Sequence, residues 1–337
     1  MSSILERAWY DKASWTLVLR PLSLLFGTLS RARRQRLSAA AISLDIPVVV
    51  VGNIAVGGSG KTPLLIELIK LCQREKLRVG VISRGYGGKS PLYPIQVNPS
   101  TDPSICGDEP AMIARLTGVP VVVDPDRVAA ARMLIKLEPV DLILSDDGLQ
   151  HYRLSRQLEI AVVDAARGLG NAQLLPEGPL RESPERLAEV DFVVLNGCGR
   201  FEYPNALRYE LQPIHLRNLK TGEVREASAQ ALGSTKVNAI AGIGHPQRFF
   251  DTLVQLGFSV KPTPLSDHAE IDPQLVTELS RETLVMTEKD AVKCADIANQ
   301  NCWALGVEAR LDERSQQKLT EAVRRVAAPQ VGETHGS

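Results

Sequence analysis

The chain is short of aromatic residues, of net charge and of paired cysteines. Phe, Trp and Tyr together make up 4% of its 337 residues. Lys plus Arg number 39 and so do Asp plus Glu. No bulk field therefore draws the chain toward nucleic acid, and any basic patch has to be local. Five cysteines (Cys72, Cys106, Cys198, Cys294 and Cys302) are scattered without CxxC spacing. That argues against a disulfide framework or a zinc site and fits reduced thiols in a cytosolic setting. No apolar run reaches the roughly 20 residues that a bilayer span needs. There is no signal-peptide cleavage site, no internal repeat and no low-complexity stretch.

What is present is an ordinary globular balance, 44% hydrophobic and 23% charged, in a length that suggests two domains. Several β-branched apolar runs are each followed by turn residues and then by helical periodicity. Strands are expected at Ile46–Val51, Arg78–Ser83, Val119–Asp124, Val140–Ser145, Glu159–Asp164 and Phe192–Asn196. Strands that are apolar throughout and alternate with helices imply an α/β fold: a parallel, P-loop NTPase-type sheet with helices on both faces. Beyond Asn196 the texture changes. Tyr203–Gln230 reads as a β-hairpin around Asn218–Gly222, and a second, smaller α/β set follows, with strands at Val237–Ile243, Leu284–Thr287 and Cys302–Val307. Ser315–Ala327 reads as a closing helix and the last ten residues as a frayed tail. The expected organisation is a helical region at 1–40, a P-loop domain at 41–202, a hairpin linker at 203–232 and a smaller α/β lid at 233–328.

The N-terminus admits two readings. Trp9, Tyr10 and Trp15 precede an apolar run, Thr16 to Leu29, interrupted by Arg20 and Pro21 and followed by Arg31, Arg33, Arg34 and Arg36. Either it packs into the core with a solvated basic end, or it lies in a lipid interface with its arginines on anionic headgroups. The pattern alone does not choose.

The strongest motif runs from Val48 to Pro63. A strand enters a Gly-rich turn that opens a helix, and its phosphate-cradling residues are Ala55, Val56, Gly57, Gly58, Ser59, Gly60, Lys61 and Thr62. Glycines let successive backbone N–H groups point at phosphate oxygens, and the helix dipole adds to them. Lys61 is placed to reach the β- and γ-phosphates of ATP, and Thr62 to ligate Mg²⁺. Ala55 stands where the strict pattern wants Gly. Downstream, Leu142–Ser145 ends at Asp146-Asp147, an apolar strand closing on acids, as a Walker-B carboxylate requires.

Other clusters are weaker. Asp108, before Glu109-Pro110, reads by itself as a helix cap, with a base for the acceptor hydroxyl as the alternative. Asp267-His268 reads as polar surface unless its loop closes over the P-loop. Arg181-Glu182, at the end of a Pro/Gly loop, offers a phosphate cation and a metal-shell carboxylate. Arg84, Arg127, Gln150, His151 and Arg181 are expected to face the substrate.

Taken in order, GNIAVGGSGKTP, SRGYGG, GDEP, DDGLQHYRL, LLPEGPLRE, the DH pair and TEKDAVK resemble the tetraacyldisaccharide 4′-kinases, the lipid A 4′-kinases of Gram-negative bacteria. The resemblance runs from the N-terminal helix to about Val307. It implies transfer of the ATP γ-phosphate to the 4′-hydroxyl of a tetraacylated glucosamine disaccharide 1-phosphate, giving lipid IVA. It implies Mg²⁺ held through Thr62, Asp146, Asp147 and Glu182. It implies a catalytic pair of Asp108 and His268 beside Lys61, brought together by closure of the second domain. It also implies a peripheral enzyme on the cytoplasmic face of the inner membrane, docked by its N-terminal helix; a monomer is expected. Within this pattern Ala55 and Ser59 stand where Thr is frequent. Glu177 replaces the usual Ala, which would add negative charge near a phosphate. Ala269-Glu270 follows His268 where a second polar residue is frequent. The rival class is a P-loop GTPase or metallochaperone switch. It needs an Asn-Lys-x-Asp guanine reader, which Thr287-Glu288-Lys289-Asp290 does not supply.

Overall fold

The computed structural model describes residues 2–328; the expected frayed tail lies outside them. Thirteen strands among these residues form one sheet. They are β1 Val48–Gly52, β2 Val79–Ser83, β3 Ile95–Val97, β4 Val121–Val123, β5 Leu142–Asp146, β6 Leu158–Asp164, β7 Phe192–Asn196, β8 Leu207–Asn218, β9 Val224–Glu226, β10 Lys236–Ala241, β11 Ser259–Pro264, β12 Leu284–Thr287 and β13 Cys302–Leu311. The order is β11-β10-β12-β13-β8-β7-β6-β1-β5-β2-β4-β3, with β9 beside β8.

From β4 to β7 the pairing is parallel, as expected, and β8 continues it. The reason is legible in β1. Val49 and Val51 enter one core with the P-loop helix (Lys61–Arg74), while Val48 and Val50 enter a second core on the opposite face with the helix Arg127–Leu137. A strand buried on both faces has to be apolar throughout. The smaller set repeats this. Ala239 and Ala241 of β10 face one cluster and Ile240 another.

The join is more than a hairpin. β8 and β9 do form one, closed by Asn218–Glu223, but β8 also pairs parallel with β7 and antiparallel with β13. A two-stranded ribbon thus carries the sheet from the larger set to the smaller, with a register shift at Gly306/Val307. Two strands escaped the sequence reading. β3 is only three residues long, and β11 holds Pro262 and Pro264, which read as breakers yet are tolerated on a sheet edge.

Candidate active site

The parallel strands direct their carboxyl ends to one side of the sheet, and the expected motifs lie there. β1 runs through Asn53 into the Gly-rich loop. Gly60 has φ 86°, and a Cβ there would sit 2.3 Å from Asn196 Nδ2 and 2.4 Å from Tyr209 Oη, so only glycine fits. Those two groups brace the loop: Asn196 donates to the Ser59 carbonyl at 3.1 Å and Tyr209 to the Gly60 carbonyl at 2.6 Å. Ala55 pairs as a bridge with Leu180 and has no left-handed φ, so its Cβ costs nothing.

β5 is the neighbour of β1, with Asp146 opposite Val51. Asp147 follows at φ 46°, a left-handed turn that sends the two acids different ways. Asp146 stays buried; its Oδ2 accepts from Ser83 at 3.1 Å, and its Oδ1 has no partner. Burial, then Glu109 and Asp147, push its pKa well up. Asp147 turns to cations, 3.3 Å from Lys61 Nζ and 3.0 Å from Arg181. Burial opposes its ionisation, but Lys61 and Arg181 outweigh burial and hold it far below the usual range. A buried carboxylate oxygen without a partner, with Glu109 and Asp147 adding negative charge around it, suits one hard divalent cation. Mg²⁺ needs only one or two protein oxygens when phosphates and water complete its shell. Among the described residues no group of three or more His, Cys, Asp or Glu is gathered for a metal.

Several residues expected to face substrate do other work. Gln150 gives its amide to the Asn53 carbonyl at 3.1 Å and to Glu182 at 2.6 Å, tying the β5 turn to the P-loop. The Glu182 carboxylate is held by Gln150, Tyr152 and Arg186, so it lies beside the site with both oxygens engaged. Arg127 corrects the expectation outright: it is buried and donates to the carbonyls of Asp124 at 2.9 Å and Asp146 at 3.1 Å. Burial lowers its pKa to about 10. It pins the β4 and β5 ends from beneath. Arg84 is exposed and makes no ion pair among the described residues. His151 is half-buried, and burial, then Arg127 and Arg84, lower its pKa to about 3, so it is neutral at physiological pH.

Asp108 is not a cap. Gly107, with φ 92° and packed against the Tyr86 carbonyl, precedes the helix Asp108–Thr117, and no side chain caps its start. The Asp108 carboxylate turns instead to His268, with Nδ1 3.3 Å from Oδ2. His268 comes from the smaller set, on a loop where its φ of 59° is unfavourable for a side chain with a Cβ. Tyr86 meets its ring edge-on at 5.0 Å. Lys293 Nζ also reaches Asp108 Oδ2, at 3.1 Å, and Lys289 Nζ reaches His268 Nε2 at 3.1 Å and Asp267 at 2.8 Å. Burial raises the Asp108 pKa, but His268 and Lys293 outweigh it and the net shift is downward. The two lysines escaped assignment from sequence. Their signal was the pair four residues apart just past the end of a buried strand. The smaller set also touches the P-loop directly, Gly244 against Gly58, and Arg248 pairs with Asp164 at 3.0 Å.

The N-terminal segment docks inside out. Its main helix, Arg20–Ala39, starts at the Arg20-Pro21 break, where Pro suits a first turn. Ser23 and Gly27 face the protein, with the Ser23 hydroxyl donating to the Leu174 carbonyl and accepting from the Glu177 N–H, both at 2.8 Å. Leu22, Leu25 and Leu29 face solvent, 56%, 56% and 62% exposed, and Trp15, Leu17 and Val18 are exposed beside them. Glu177 is buried and paired with Arg20 at 2.9 Å, so its charge secures the helix instead of opposing phosphate. No helix among the described residues is long and apolar enough to cross a membrane.

The profile of the tetraacyldisaccharide-1-P 4′-kinase family matches residues 15–326. The chain belongs to that family. A tetraacyldisaccharide 4′-kinase of Stutzerimonas stutzeri (strain A1501) is 49% identical over 308 residues, covering 90% of this chain and 92% of its own. One from Pseudomonas putida (strain W619) is 47% identical, with 90% of each chain covered. Among solved structures, LpxK from Aquifex aeolicus in complex with ATP superposes with a TM-score of 0.77 at 28% identity. That likeness covers 93% of this chain and 99% of the other.

Proposed function

We propose that this chain transfers the γ-phosphoryl group of ATP to the 4′-hydroxyl of a tetraacylated glucosamine disaccharide 1-phosphate, giving lipid IVA, while lying on the cytoplasmic face of the inner membrane. The observation that carries the reading is the convergence of Lys61, Asp146-Asp147 and the Asp108–His268 pair in a chain matched by the kinase family almost end to end. Thr62 and Asp146 would hold Mg²⁺, which would supply neutralisation of the phosphate charge. Lys61 and Arg181, both now on Asp147, are the cations that meet the transferring group. Glu182 supports the metal side through Gln150. Asp108 accepts the proton of the attacking hydroxyl, and Arg84 and neutral His151 line the approach of the phosphorylated sugar. In this division of labour residues 41–202 hold nucleotide and 233–328 bring His268. One chain supplies all of these groups, which supports a monomer as the working unit.

The outward leucines of Arg20–Ala39 and the arginines at its end support docking on anionic lipid, where the acceptor's acyl chains remain. The switch-protein alternative is not favoured: Lys289 of the Thr287–Asp290 string serves His268, not a guanine base. The deciding assay follows phosphate from ATP–Mg²⁺ to the disaccharide 1-phosphate in detergent, with a soluble, unacylated disaccharide as control. Transfer to the lipid alone is expected. Hydrolysis of ATP without transfer, or equal transfer to the soluble sugar, overturns the proposal.

A further inference from the structure

We infer that Lys289 and Lys293 select the base atom of the site, leaving Asp108 Oδ1 as the one lone-pair bearer open to the acceptor hydroxyl. The inference rests on the kinase reading above. Its geometry starts at Lys289. An ammonium can only donate, so at 3.1 Å from His268 Nε2 it requires that nitrogen to be an acceptor. The ring proton then sits on Nδ1, which donates to Asp108 Oδ2 at 3.3 Å. Lys293 Nζ lies 3.1 Å from the same oxygen as its ion-pair partner. A donor and a cation thus converge on Oδ2, while Oδ1 has no partner among the described residues.

The lysines are held for this task. Lys293 also donates to the Ala269 carbonyl at 3.0 Å and lies 3.5 Å from Asp290. Asp290 is fully buried, accepting from the Gly242 N–H at 2.9 Å and the Thr287 hydroxyl at 2.7 Å. Lys289 is flanked by Asp267 at 2.8 Å and Glu109 at 3.5 Å. The charged groups around Asp108 are therefore Lys289 and Lys293, balanced by Glu109, Asp267 and Asp290, with His268 as a neutral donor. In the transfer, the acceptor O–H bond breaks and its proton passes to Oδ1. The new O–P bond forms as the bond from the γ-phosphorus to the bridging oxygen breaks, and ADP leaves with that electron pair. His268 keeps its Nδ1 proton and orients the carboxylate; it does not receive the acceptor's proton. Both lysines are positioning residues.

The test compares pH profiles of kcat/KM for lipid phosphorylation in Lys289→Met, Lys293→Met, Lys289→Arg and Lys293→Arg. Lys293→Met should move the acidic limb upward by about one pH unit or more, because a cation beside a carboxylate lowers its pKa by that order. Lys289→Met should lower kcat about tenfold or more with KM for ATP unchanged. Lys289→Arg should restore most of that loss, since it still donates to Nε2, and Lys293→Arg should return the limb to its place. An unmoved acidic limb in Lys293→Met, wild-type kcat in Lys289→Met, or Arg variants as impaired as the Met variants would overturn the inference. Asp108→Asn separates the two readings. If it is inactive while the Met variants behave as wild type, only the lysine assignment falls. If Asp108→Asn itself transfers phosphate at the full rate, the proposed chemistry of Asp108 falls with it.

Discussion

Two helices of this chain carry apolar faces and use them in opposite ways. Glu313–Ala327 turns Leu319, Ala322 and Val323 into the core shared with β1 and the P-loop helix. Arg20–Ala39 turns Ser23 and Gly27 inward and leaves Leu22, Leu25 and Leu29 in solvent. Burying a leucine gains roughly 1.5–3 kcal/mol, and this face forgoes that gain three times. The difference also shows in the contacts. The C-terminal helix is held by apolar packing. The N-terminal helix is held by hydrogen bonds and by the Arg20–Glu177 pair, which keep it on the loop that delivers Arg181. A helix fixed by polar contacts can leave its apolar face exposed without coming loose.

That contrast can be broken at several points. The largest effect is expected from Lys61→Ala, which should reduce transfer about a thousandfold for acceptor in detergent or in vesicles while vesicle binding stays intact. Parallel loss of vesicle binding would show that nucleotide site and docking face are not separable. Replacing Leu22, Leu25 and Leu29 together by Ser should weaken binding to anionic vesicles about a hundredfold in a flotation assay. Thermal unfolding should hardly change, because these side chains are already in water. A large drop in melting temperature would mean that the leucines do pack on the protein. Leu319→Ala should do the reverse, costing about 2–5 kcal/mol in denaturant unfolding through the cavity it leaves, with vesicle binding unaltered.

The smallest effect concerns pH. The folded chain keeps His151 neutral down to about 3. An unfolded chain protonates it near pH 6.5, so between these values the unfolded state binds more protons. Stability should therefore fall as pH drops through that window, and His151→Asn should flatten this part of the curve in denaturant titrations. An unchanged slope in the variant would place the loss in other groups.

Much of the site was legible because its signals are local. The Gly57–Thr62 turn, the acids ending β5 and the glycines beside Arg84 each encode their backbone over a few residues. The parallel order followed from runs that are apolar on both faces. Less legible were features that depend on partners far away in the chain. Asp108 had the spacing of a cap, and only Lys293 and His268, 160 or more residues on, draw its carboxylate elsewhere. Arg127 looked like an anion ligand until the ends of β4 and β5 enclosed it.

By itself the amino-acid sequence determined the α/β class, the nucleotide-phosphate loop, the paired acids and the family, since periodicity, glycine placement and ordered motifs survive without coordinates. Only the tertiary structure decided which acid faces a cation and which stays unpaired. The turn at Asp147 splits them: Lys61 and Arg181 hold Asp147 ionised against its burial, while Asp146 is left beside Glu109 and Asp147 with no cation paired to it. It also decided which way the N-terminal helix faces, because amphipathicity specifies an apolar face but not what covers it.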